Sequence, residues 1–242
     1  MTKEISKLDI LAFGAHPDDV EACVGGTIIC SIKQGLTVGI IDLTAGENSE
    51  TGEGSLRIKE AQDSAKVMGV KIRENFKLSE RNFVTLENEN LIIHCIRKYK
   101  PDTVIIPHWH DKHKGHRDAS NLIERAVQDA KYTKILPKIP AHKVKKIIFY
   151  MIHYEFKPAF IFDISQVQKQ KMKALFCHKS QLFKKNKNGR FSNKLLDPDF
   201  IEAWVARSRW YGYVVGVKYG EAFDMRRPTG LKSISDLTNQ YR

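Results

Sequence analysis

Apolar and polar positions along this 242-residue chain fall in blocks. Residues 8–14 (LDILAFG), 37–43 (TVGIIDL) and 102–107 (DTVIIP) are short, mostly apolar runs, the pattern of strands covered on both faces. Between them lie helical periods. Residues 27–34 read as a helix stopped by Gly35, and 88–100 as another closed by Pro101. Residues 55–68 place Ile58, Ala61, Ala65 and Met68 on one stripe, with Gly69 ending the helix. A short strand is expected within 71–78. Strand, helix, strand at this spacing is a βαβ unit, so the predicted class is α/β, an open, mostly parallel Rossmann-like sheet flanked by helices.

The signal weakens beyond Lys131. Residues 147–151 and 159–164 read as strands, and Asp163-Ile164-Ser165 can end the second and cap a helix over 167–177. The stretch 184–194 is polar, basic and glycine-containing, and reads as a mobile loop. Residues 197–211 read as a helix with Asp197 capping and Pro198 in the first turn. The tail 226–242 has no pattern. Without an internal repeat, low-complexity tract or linker, one domain over residues 1–242 is expected.

Composition narrows the class. A hydrophobic content of 42% belongs to a folded chain, and no run approaches the ~20 apolar residues that cross a bilayer. Met1-Thr2-Lys3-Glu4 leads towards a strand without a signal-peptide pattern. Cys23, Cys30, Cys95 and Cys177 form no C-x-x-C pair, which fits buried thiols in a reducing cytoplasm. The net charge of +12, crowded into the second half, reads first as a solvated face and second as a draw for an anionic small molecule. A basic nucleic-acid-binding protein is the rival class. No zinc-finger spacing or RNA-binding signature accompanies the charge.

Two stretches carry candidate chemistry. In Ala15-His16-Pro17-Asp18-Asp19-Val20-Glu21, followed by Gly25-Gly26-Thr27, one imidazole and three carboxylates share about one turn, with no Lys or Arg between. Like charges this close repel unless a proton or cation intervenes, and His with carboxylate suits zinc. Asp residues also cap helices and suit the first-turn dipole, so this stretch alone leaves both readings open. Glu21 reads as steadying the loop and Cys23 as a small buried hydrophobe. The second stretch, His108-Trp109-His110-Asp111-Lys112-His113-Lys114-Gly115-His116, follows the strand at 102–107 and precedes a helix starting near Arg117 or Asp118. Ligands of open parallel sheets bind beyond the carboxyl ends of strands, where both loops fall. The polar loop 44–54, with Glu47, Asn48, Glu50 and Glu53, suits the mouth of such a site. Arg57 sits in a first helical turn, where a cation opposes the dipole.

With both loops in view, the chain resembles the LmbE-like, or PIG-L, family of zinc-dependent N-deacetylases. Residues 15–21 with Gly25-Gly26-Thr27 match its A-H-P-D-D-x-E…G-G-T signature, His113-Lys114-Gly115-His116 its H-P-D-H, and Arg57 with Glu60-Ala61 its R-x-x-E-A helix. The likeness extends to Asp163-Ile164-Ser165 and to the run from Gly216 to Phe223, and is greatest to the bacillithiol-biosynthesis deacetylases. It implies that His16, Asp19 and His116 hold zinc, with iron or cobalt able to use the same ligands. It further implies Asp18 as general base, His113 as transition-state stabiliser and Arg57 as a substrate contact. The expected reaction is hydrolysis of an N-acetyl group on an N-acetylglucosamine-type sugar. N-acetylglucosaminyl malate is favoured, and free N-acetylglucosamine or chito-oligosaccharides are the alternative. The expected partners are a small anionic amino sugar and further copies of the chain, with neither membrane nor nucleic acid.

The chain departs from this pattern in places. Gly115 stands where H-P-D-H has a carboxylate, leaving Asp111 or Asp118 to compensate beside His113. Asp111-Lys112-His113 replaces D-R-H, and lysine cannot reproduce a bidentate guanidinium contact. Phe200 offers no hydroxyl where some members have tyrosine. His108 and His110 read as surface residues.

Overall fold

The computed structural model describes residues 7–48, 53–182, 198–230 and 233, with 198–200 described by backbone alone. The basic stretch 184–194, the Asp197 cap, the Phe200 side chain and the tail beyond 230, apart from residue 233, lie outside them.

The apolar runs form β1 (Ile10–Gly14), β2 (Val38–Asp42), β3 (Ile72–Asn75), β4 (Thr103–Pro107) and β5 (Lys146–Tyr150). With β6 (Phe160–Asp163) and β7 (Gly220–Asp224) they make one seven-stranded sheet, ordered β3-β2-β1-β4-β5-β7-β6. The first five strands are parallel, and β7 pairs antiparallel with both β5 and β6. The helices are α1 (Asp19–Lys33), α2 (Gly54–Met68), α3 (Leu86–Tyr99), α4 (Lys114–Asp129), α5 (Gln168–Leu175), α6 (Lys179–Leu182) and α7 (Pro198–Val214). Successive strand residues point to opposite faces, and the core divides accordingly. Ile10, Ala12 and Ile40 pack with apolar side chains of α1, α2 and α5, whereas Leu11, Phe13 and Ile41 pack with those of α3 and α4.

The expected mostly parallel α/β sheet is therefore present. Helices α1 and α4 start at least three residues earlier than the sequence suggested. Helix α1 begins at Asp19 and runs through Gly25-Gly26, which sequence propensity treats as a break. Close approach accounts for this: a Cβ on Gly26 would stand 2.7 Å from Ile164 Cγ2. The buried Glu221 carboxylate of β7 also accepts from Gly26 N at 2.9 Å and Thr27 N at 2.7 Å, and its charge is met by Lys171 at 2.7 Å. Helix α4 begins at Lys114, because Asp111 Oδ1 accepts from His113 N at 2.8 Å and turns the chain there. Asp163 does not cap α5. It accepts from Ser165 N at 2.8 Å and braces the turn before that helix, whose cap position is Val167.

Beneath the carboxyl ends of β1 and β2 lies a buried charge network. Arg73 of β3 donates from Nε and Nη2 to the two oxygens of Asp42, at 2.8 and 2.9 Å, and pairs with Glu21 through Nη1. His178 Nε2 lies 2.9 Å from Glu21 Oε1, so the segment between α5 and α6 is tied to α1. Glu21 thus steadies α1 rather than a loop. Burial works against its charge, but Arg73 and His178 outweigh it and hold the carboxyl well below its usual value. Breaking such a network at one member leaves uncompensated charge in the core. We expect Arg73→Met to lower unfolding stability by about 3–5 kcal/mol in urea titration. A loss below about 1 kcal/mol would show that the two carboxylates find other partners.

Candidate active site

Strand order reverses between β1 and β4, and the segments leaving β1, β3, β4 and β5 converge at that end of the sheet. His16 follows β1, Asp19 opens α1, and His116 lies in the first turn of α4. His116 Nε2 is 3.2 Å from His16 Nδ1 and 3.4 Å from Asp19 Oδ1, and His16 Nδ1 is 3.6 Å from Asp19 Oδ2. Donors at the vertices of a tetrahedron about zinc, each ~2.0–2.1 Å from the ion, stand about 3.3–3.4 Å apart. The triangle of two imidazole nitrogens and a carboxylate therefore fits a divalent cation in size and in donor type. The charges agree with the spacing. Burial disfavours charge on His16, yet Asp19 and Glu80 push its pKa up to about 10. His116, opposed by burial, is raised to about 9 by Asp19 and Asp111. Asp19 is held well below the carboxylate range by His116 and His16, against its own burial. Protons thus neutralise the cluster when no cation does.

Residues 11–127 match the PIG-L family model, described as GlcNAc-PI de-N-acetylase. Over these residues the chain carries a PIG-L, LmbE-like domain. It is 29% identical over 232 residues to diacetylchitobiose deacetylase of Thermococcus kodakarensis, covering 88% of this chain and 80% of that protein. A conserved protein of Thermus thermophilus has the same fold, with a TM-score of 0.83, 29% identity and coverage of 94% of this chain and 98% of that one. The N,N'-diacetylchitobiose deacetylase of Pyrococcus horikoshii, solved with its inhibitor, gives a TM-score of 0.76 at 25% identity, covering 97% and 89%. Two of these relatives are named as deacetylases of diacetylchitobiose, an N-acetylglucosamine-type sugar.

The other residues expected from the PIG-L motifs border the same cluster. Asp18 is buried, and Arg57 Nη2 of α2 donates to its Oδ1 at 3.3 Å. Burial pushes the Asp18 carboxyl up, against the pull of Arg57. Arg57 also donates from Nη1 to Gly46 O at 3.2 Å. Gly46 has φ +68, and a Cβ there would lie 1.8 Å from Arg57 Nη1, so only glycine leaves room for the guanidinium. The His113 ring centroid is 5.1 Å from that of His16 and 4.8 Å from that of His116. Partial burial and the charge of its two neighbours lower its pKa to about 4.

The assignments made from sequence for Asp111, Asp118 and His108 change. Neither Asp111 nor Asp118 compensates for Gly115. Asp111 is committed to His116 and His153, Asp118 to Lys114, and among the described residues neither hydrogen-bonds the His113 imidazole. A Cβ on Gly115 would stand 3.1 Å from His113 Nδ1, so the bare glycine gives that ring its place. His108 is not a surface residue. Its flat ring is buried between Trp109 and Phe156, with centroids at 3.8 and 4.5 Å, and its Nε2 is 3.3 Å from Asp224 Oδ2. His110 is exposed, as expected.

Sequence reasoning passed over two residues at this site. Glu80 follows β3, and its Oε1 is 3.0 Å from His16 Nε2. His153 follows β5, stacks on His116 at 5.3 Å and shares its Asp111 partner. Each stands just beyond the carboxyl end of a recognised strand, so the rule that found the two main loops points to these positions also.

The raised pKa values set the pH dependence of metal uptake. Below about 9 both ligand imidazoles hold protons in the metal-free protein, and an incoming cation must displace them. At pH 7 we expect binding of a divalent ion to release more than one proton, and affinity to fall as pH is lowered from 8 to 6. Calorimetry in buffers of different ionisation enthalpy measures this. Release of less than half a proton would mean that the imidazoles are already neutral.

Proposed function

We propose that this protein is a zinc-dependent hydrolase that removes the acetyl group from an N-acetylglucosamine-type sugar. The observation that carries the reading is the approach of His16, Asp19 and His116 to 3.2–3.6 Å of one another, with a buried carboxylate, Asp18, next in the chain. Those three residues would hold the zinc. Bound there, the ion would supply Lewis acidity toward the amide carbonyl and toward water.

The chain's own groups perform the proton transfers. Asp18 takes the proton of the attacking water and returns it to the departing amine, and burial brings its pKa nearer the working pH. Arg57, in donating to Asp18 Oδ1, aims that carboxylate and borders the substrate. Partial burial lowers the pKa of His113, which suits it to donate an N–H to the oxyanion as a neutral imidazole.

Diacetylchitobiose is supported by the named activities of the relatives, and N-acetylglucosaminyl malate by likeness of motif alone. Arg57, the cation paired with Asp18, is already engaged by Asp18 and Gly46 O, which gives a malyl carboxylate less to meet. The chitobiose reading therefore has at least equal support. Cytoplasmic placement is supported by four unpaired cysteines; among the described residues no helix is long and apolar enough to cross a membrane. A single sheet with strands from residues 10 to 224 supports one domain, and exposed Trp210, Tyr213 and Val214 of α7 support self-association.

The test is a deacetylation assay of zinc-loaded protein on both glycosides and on free N-acetylglucosamine, beside Asp18→Asn, with metal content measured. Asp18→Asn should keep its zinc and lose activity by about 10²–10⁴-fold. Full activity in that variant would remove Asp18 from the mechanism, and no turnover of any of the three sugars by the parent would remove the substrate class.

A further inference from the structure

We infer that Glu80 and Asp111 are positioning residues that make the two ligand histidines offer opposite ring nitrogens to the metal. This rests on the reading that His16, Asp19 and His116 are the ligand set. His16 presents Nδ1 to Asp19 and His116, while its Nε2 lies 3.0 Å from Glu80 Oε1. His116 is the reverse: Nε2 faces His16 and Asp19, and Nδ1 lies 2.9 Å from Asp111 Oδ1. A neutral imidazole carries one N–H and one lone pair, and an ionised carboxylate only accepts. Each carboxylate therefore fixes the proton on the nitrogen that faces it and the lone pair on the other.

Both carboxylates are held to this task. Glu80 occupies a 3-10 turn, Glu80–Asn82, between β3 and α3. Asn48 Nδ2 donates to its second oxygen at 3.0 Å, and its backbone N donates to Glu47 Oε1 at 3.0 Å. Residues 47 and 48 of the polar loop after β2 thereby brace His16 through Glu80. Asp111 is buried and accepts from His113 N at 2.8 Å and His153 N at 2.9 Å, with His153 Nδ1 also 2.9 Å away.

Two other readings of these acids fit less well. Glu80 as a further ligand would need its oxygens on the Nδ1 side of His16, and they meet Nε2. Among the described residues two side-chain groups are spaced to hold a cation, His16 with His113 and His116, and Asp111 with His116 and His153. In the second, however, Asp111 Oδ1 lies 2.9 Å from both histidine nitrogens while accepting a backbone N–H, which is a set of hydrogen bonds to one acceptor.

The experiment uses the full chain stripped of metal. Zinc affinity is measured by competition with a chromophoric chelator for the parent, Glu80→Ala and Glu80→Gln, with thermal unfolding of each as a control for folding. Glu80→Ala should weaken zinc binding about 10–100-fold. Glu80→Gln, whose amide oxygen can still accept from Nε2, should recover most of that loss. Long-range 1H–15N spectra of the zinc-loaded parent should show His16 metallated at Nδ1 and His116 at Nε2. Asp111→Asn should also weaken zinc, together with a fall in unfolding temperature. A folded Glu80→Ala variant that binds zinc within twofold of the parent overturns the inference, as do spectra with both histidines metallated at the same nitrogen. A parent that takes up no zinc removes the metal reading as well, so the two failures are told apart.

Discussion

Asp18 and Asp19 are adjacent carboxylates taken out of water at the end of a parallel strand, and the surrounding structure is arranged to make that tolerable. Neither charge can be buried unpaired. Asp18 is met by a guanidinium that crosses from α2 and lies against the bare Cα of Gly46. Asp19 is met by two imidazoles, one at the end of β1 and one on α4, a hundred residues apart in the chain. The two acids have different environments and so different chemistry. One is held ionised by its histidine neighbours, as a cation ligand must be. The other has its pKa raised by burial, which is what a group exchanging protons needs.

A second ring of acids surrounds the first. Glu80 and Asp111 stand behind His16 and His116, on the side away from Asp19. Further below, Glu21 and Asp42 share Arg73. A chain with a net charge of +12 thus concentrates carboxylates at one end of its sheet and compensates them locally. Its excess positive charge is left elsewhere, much of it in the second half of the sequence.

Much of this was legible from residue order because parallel strands buried on both faces leave continuous apolar runs, and β1, β2 and β4 are such runs. The A-H-P-D-D and H-K-G-H stretches were equally plain, since each packs several donors into a few residues. Strand β7 was not found as an element: it is GEAFD, with a carboxylate in the middle, and its Glu221 is buried only because α1 supplies two amide donors and α5 supplies Lys171. Glu80 and His153 escaped notice because each is a lone polar residue, given meaning by a partner brought near in the fold. The polarity of His108 reads as a surface position, whereas its stacking on Trp109 and Phe156 uses the flat face of the ring.

Glu221 also bears on the order in which the site is assembled. Every residue of the proposed metal cluster has been made once synthesis passes position 116, yet α1 is held by hydrogen bonds to residue 221 and by the contact of Glu21 with His178. A nascent chain carrying the whole ligand set therefore still lacks the anchor for the helix that bears Asp19. The Glu221 contacts come from β7, a strand late in the sequence that lies between β5 and β6.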